Sequence, residues 1–135
     1  MRAWSIYALD ATVILPSNAQ TEACFFLQTE PVAVVALGDP DELRRAVLAL
    51  LARGIPRVPT PSRDSFPKPV VFAYAKVKTQ AALDRVARCW QIEETASGWT
   101  LTLFAPDRVE RIETHAAGSD AALADLVVSR LGARA

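Results

Sequence analysis

The chain has 135 residues, 51% hydrophobic and 22% charged, with a formal net charge of zero at pH 7. That length and apolar content suit one domain spanning 1–135 that buries roughly 70% of its unfolded-state surface, and no stretch approaches the ~20 consecutive apolar residues of a membrane helix. Two cysteines, Cys24 and Cys89, exclude a disulfide framework, so the expectation is two buried free thiols in a reducing cytoplasm. The opening Met1-Arg2-Ala3-Trp4 runs straight into strand-like sequence, without the charged, apolar and small-residue zones of a secretory leader.

Residues 3–9 place Trp4, Ile6 and Ala8 on one side and Ser5, Tyr7 and Leu9 on the other, the alternation of a strand with one strongly apolar face. Asp10 interrupts it, residues 12–15 resume the β-character, and Pro16-Ser17-Asn18-Ala19-Gln20 has the composition of a loop. A strand is expected over 24–28, followed by a short turn at Thr29-Glu30-Pro31. The unbroken apolar run 32–37 then predicts a strand buried on both faces. It delivers the chain into a well-signalled helix. Asp39 can accept from the free amides at the helix start, Pro40 pre-sets the first helical φ, and Glu42 completes a capping-box spacing. Leu43, Val47, Leu50 and Leu51 share one face, and Gly54 stands where a left-handed cap is wanted.

After Gly54, five prolines fall between positions 56 and 69 and remove donors that regular structure would use, so 55–69 reads as a loop. Residues 70–75 read as a second buried strand, and Thr79 caps a helix with Leu83, Val86, Ala87 and Trp90 on one stripe. The rest reads as a strand over 90–95, a hairpin turn at Ser97-Gly98, an alternating strand over 99–103, a turn at Pro106-Asp107 and a strand over 108–114. A last helix starts near Ser119 with Leu123, Leu126, Val127 and Leu131 inward and Gly132 at its end.

The two ends of the chain look alike. Trp4-x-Ile6 and Trp90-x-Ile92 each open a meander; Gly38 and Gly118 each stand five residues before a leucine (Leu43, Leu123) that is followed at +4 by valine and at +8 by leucine. The spacing alone is that of any amphipathic helix, and a β-β-β-α internal repeat is the alternative it leaves open. The expected architecture is α+β, an antiparallel or mixed sheet of about six to seven strands covered by three helices.

Groups able to exchange protons near neutral pH are few. His115 is the one histidine, and no nucleophile-plus-acid pattern accompanies it. One histidine and two distant cysteines do not make a metal site, and no glycine-rich phosphate motif occurs, so no cofactor is expected. Charge is unevenly placed. Residues 57–88 hold seven basic side chains against Asp64 and Asp84, and residues 89–125 hold seven acidic ones against Arg108 and Arg111. The two blocks can pair with each other on a solvated surface, or present an acidic side to a basic partner. Basic residues near Phe72, Tyr74 and Trp90 raise nucleic-acid binding through 57–88, but these rings read as core, and a pI near 6.6 argues against a dedicated binder.

In the segment Pro69-Val70-Val71-Phe72-Ala73-Tyr74 through Trp90-Gln91-Ile92, and in the hairpin Gly98-Trp99-Thr100-Leu101, the chain resembles bacterial immunity proteins of contact-dependent growth inhibition and other polymorphic toxin systems. The resemblance is one of format. It implies a non-catalytic cytoplasmic protein that binds a toxin domain and covers its active site. Against a basic toxin such as a nuclease, Glu93, Glu94, Asp107, Glu110 and Glu113 would supply the contact surface. Zero net charge departs from the acidic balance such a target calls for. A small enzyme built around His115 and Asp10 is the remaining alternative.

Overall fold

The computed structural model describes residues 1–105 and 108–132. Its elements are β1 (Ala3–Leu9), β2 (Thr12–Thr21), β3 (Phe26–Ala36), α1 (Pro40–Arg53), β4 (Arg57–Val58), α2 (Val71–Ala75), α3 (Gln80–Val86), β5 (Arg88–Thr95), β6 (Gly98–Ala105), β7 (Arg108–Ala116) and α4 (Asp120–Gly132). The fold is α+β. Six strands lie in the order β3-β2-β1-β5-β6-β7, all antiparallel, and the two-residue β4 adds to β2 in parallel.

The sheet consists of two β-β-β-α units side by side, meeting at β1 and β5. Trp4 lies opposite Ile92 and Ile6 opposite Trp90, so the two Trp-x-Ile motifs are reciprocal partners about a local two-fold. The helix that ends each unit packs on the same face and against the other: Leu43, Val47 and Leu51 of α1 and Leu123, Val127 and Leu131 of α4 are all buried in one cluster with Trp4, Ile6, Trp90 and Ile92. The repeat seen as similar spacing is thus a repeat of topology and of core position.

Helix α1 forms as its sequence predicts. Asp39 accepts from the Glu42 amide at 3.1 Å, Pro40 is the first residue, and Gly54 at φ 65 donates to the Leu51 carbonyl. Glu42 does not reach back to complete the box; its carboxylate accepts from Arg45 instead.

Several expectations are corrected. The loop expected at 16–20 is strand: β2 runs through Pro16, where a register irregularity accommodates the missing donor. Its polar residues are buried because they have partners, Ser17 donating to the Pro31 carbonyl and Asn18 Nδ2 to the Ala3 carbonyl. The turn expected at 29–31 lies inside β3, and Cys24, placed in a strand, is an exposed turn residue at φ 68. The run 32–37 is not doubly buried. It is the end of an edge strand, with Val35 facing α1 and Val34 52% exposed. Residues 70–75 form a short helix; a continuous apolar run carries no period that separates the two structures. Trp90 leaves the helical stripe, because the backbone turns extended at Ala87 and Trp90 belongs to β5. With α2 added, the helices number four among the described residues, and none is long and apolar enough to cross a membrane.

The second face of the sheet is covered only in part. Helices α2 and α3 seat Val71 and Leu83 on Tyr7 and Ile14, a small second core over β1 and β2. The proline-rich segment is held beside it, since Pro56 and Val58 carbonyls accept from Gln20 and Glu22 and Phe66 meets Phe25 edge to face at 6.4 Å. Beyond these elements the face carries Gln91, Thr102 and Ile112, cross-strand partners on one side of the sheet, and Ile112 is 65% exposed.

Candidate functional site

Alternation along β1 sends Trp4 and Ile6 into the main core and Ser5 and Tyr7 to the second face. Three depressions there, of about 280, 450 and 360 Å3, all include Ser5 in their walls. They join into one shallow groove. One arm reaches Asn18, Phe26, Gln91 and Glu93; a second reaches Cys89, Phe104 and Arg108; the third runs to Gln28, Phe66 and Lys68 under the proline-rich segment. Gln28 fixes the geometry of this third arm by donating to the Tyr7 hydroxyl at 2.7 Å and accepting from the Val71 amide at 3.3 Å.

The titratable groups on the groove floor are held neutral. Burial pushes the Tyr7 hydroxyl up to about 12, with the neighbouring Cys89 adding to the shift, and burial pushes the Cys89 thiol up to about 12 as well. A thiol so placed is almost wholly protonated at pH 7 and is a poor nucleophile. What the groove offers is hydroxyl and amide hydrogen bonding between exposed phenyl rings.

The structure places four of the five acidic residues. Glu93 is exposed at the groove mouth, next to Glu94, whose carboxylate accepts from the Arg2 side chain at 3.2 Å and the Arg2 amide at 3.1 Å. Those two bonds hold the Glu94 carboxyl below the usual carboxylate range. Glu110, on β7, is paired with Arg88 and lies 4.0 Å from Arg108. Glu113 accepts from Arg130 on α4 at 2.8 and 2.9 Å. Asp107 lies outside the described residues. Arginine therefore offsets the charge of Glu94, Glu110 and Glu113 within the chain. Of the seven basic residues in 57–88, Arg88 alone makes an ion pair among the described residues, so the two charge blocks meet there at one pair, Arg88–Glu110.

His115 Nε2 lies 3.1 Å from Glu113 Oε1, beside Arg130, in a clasp between β7 and α4. It does not meet Asp10. The strand registers carry His115 across to Trp99, Glu94 and Arg2 at one end of the sheet, and Asp10 forms the β1–β2 turn at the other. No group of three metal-ligating side chains converges among the described residues.

The Glu113 clasp has a pH consequence. Partial burial opposes ionisation, but the hydrogen bonds from Arg130 and His115 more than offset it, and the carboxyl is held below its ordinary range. A depressed carboxyl contributes stability above its unfolded value near ~4.3, and that contribution disappears as pH falls through the folded value. Glu113→Gln should therefore flatten the loss of stability below about pH 4 in urea unfolding followed against pH. An unchanged acid limb would remove Glu113 from it.

The groove was the feature that sequence reasoning missed. Its signal was present in the polar residues Ser5, Asn18, Gln28 and Gln91, each on a strand whose opposite face is apolar.

No protein-family model and no curated protein sequence matches this chain. Among solved structures, the chain is similar to a protein of unknown function from Neisseria meningitidis, NMB0488, with a TM-score of 0.58 at 13% identity, covering 97% of this chain and 92% of that one. At that identity the likeness shows a shared fold and nothing finer.

Proposed function

We propose that this chain is a non-catalytic binding protein, and more narrowly a cytoplasmic immunity protein that binds a cognate bacterial toxin domain and covers its active site. The observation that carries the reading is the partly bare sheet face, where a polar-floored groove is bordered by Phe26 and Phe66, 44% and 48% exposed, with Ile112 beyond it. Exposed apolar side chains grouped around polar ones suit a protein contact, whose aromatic anchors supply most of the affinity. Floor groups locked in their neutral forms suit contact better than proton exchange. A basic toxin surface would meet this face at Glu93, and Glu94, Glu110 and Glu113, each paired with an arginine, would add less.

Nucleic-acid binding through 57–88 gains from the lack of ion pairs there, among the described residues, at Arg57, Arg63, Lys68, Lys76, Lys78 and Arg85. It loses from the rings: Phe72 packs on the smaller core and Trp90 is buried, which leaves Tyr74, its hydroxyl bonded to Glu30, as the exposed ring of the three, where a stacking groove uses several. The binding reading is tested by a photo-crosslinking side chain at Lys68, on the groove wall, in the protein's own cells. It should give one discrete protein adduct.

A further inference from the structure

We infer that the groove takes an extended segment of the partner protein, about eight residues long and carrying little net charge, laid obliquely across the strands between Phe26 and Phe104. This deepens the binding reading above and rests on it.

Length comes from the sheet. Phe26 is on β3 and Phe104 on β6, and the strand order puts four steps between them. The registers also shift the two rings along the strands, since Phe104 is level with Cys89 and Tyr7 whereas Phe26 is level with Gln20, past Asn18 and Ala3 at the other end of β1. With ~4.8 Å per strand step and ~3.3 Å per residue over an offset of about six residues, the diagonal is about 28 Å, the reach of about eight extended residues. Continuity comes from Ser5, common to all three depressions along that line.

Charge decides what kind of chain lies there. Among the described lining residues, Arg2, Lys68 and Arg108 are balanced by Asp84, Glu93 and Glu94. A single-stranded nucleic acid needs a net-positive trough, and this one is formally neutral. A strongly acidic or basic peptide would meet as much repulsion as attraction. A polypeptide of low net charge meets neither, and its backbone N–H and C=O groups match the hydroxyl of Ser5 and the amides of Asn18 and Gln91 on the floor. Its apolar side chains have Phe26 and Phe66 to pack against.

The probe is a displayed library of random peptides of about twelve residues, selected on the full chain. Enriched peptides should bind wild type and lose at least about tenfold in affinity to Ser5→Trp, which fills the point where the arms meet, and to Phe66→Ala on the exposed wall. Because the lining is neutral, affinity should change less than about twofold between roughly 50 and 500 mM salt. Phe66→Ala alters an exposed side chain, so it stays informative should Ser5→Trp unfold. Peptides that bind both folded variants as well as wild type would overturn the inference, as would a selection with no enrichment or polyuridylate displacing the peptides at equal concentration. Peptides that need the groove, together with no toxin captured in cells, would leave the groove assignment standing and remove the immunity reading. A captured toxin that binds Ser5→Trp unimpaired would do the reverse.

Discussion

Replacing Gly98 by alanine should destabilise the protein by about 3 kcal/mol or more, although the change adds a single methyl group at a turn. A Cβ there would stand 1.9 Å from the His115 carbonyl oxygen, 2.8 Å from the Ala116 carbonyl carbon and 2.9 Å from the Ala117 nitrogen. All three are backbone atoms at the end of β7 and the residue after it, so no side chain can swing aside. The strand end must separate from β6, and with it the bond from the Ala117 amide to the Ser97 carbonyl. The backbone at φ +157 adds to the cost. Urea unfolding measures the loss, and hydrogen exchange should place the weakening at 115–117. Wild-type stability in the variant would show that β6 and β7 do not approach this closely.

The second large effect concerns the local two-fold. Leu43 is 1% exposed and Leu123 4%, and they hold equivalent places on α1 and α4 in one cluster. Each leucine-to-alanine change should cost about 2–5 kcal/mol, from the lost transfer energy and the cavity left behind. Because the two helices pack on each other, the effects should not simply add. Set against a total of about 5–15 kcal/mol, the double variant should fail to fold at ordinary temperature. Val86, 54% exposed, gives the contrast: its alanine variant should stay within about 0.5 kcal/mol of wild type. Equal effects at all three positions in chemical denaturation would contradict the layer arrangement.

Much of the main core was legible in the chain. The period of Leu43, Val47, Leu50 and Leu51 and the capping residue Asp39 specify α1 locally, and strict alternation in 99–103 specifies β6. What failed depended on tertiary context. Pro16 and the polar residues after it read as loop because nothing local shows that Ala3 and Pro31 carbonyls wait for Asn18 and Ser17. Residues 70–75 carry no period, and the bond from the Val71 amide to Gln28, forty-three residues earlier, is invisible to a local reading. Cys24, expected in the interior, is exposed because it occupies a left-handed turn position. The spread of the four described acidic residues over the sheet has a related reason. Neighbours in sequence diverge across a sheet, and the arginines that meet them, Arg2 and Arg130, come from the two ends of the chain.

The central claim is that the bare face of the sheet is where another protein sits. A photo-crosslinking residue at Lys68, compared with one at Ala49 on the exposed side of α1, tests it most directly in cells that make the partner. The account predicts one adduct from position 68, containing a toxin domain, and none from position 49. An adduct from position 49 alone, or a position-68 adduct with nucleic acid in place of protein, would contradict it.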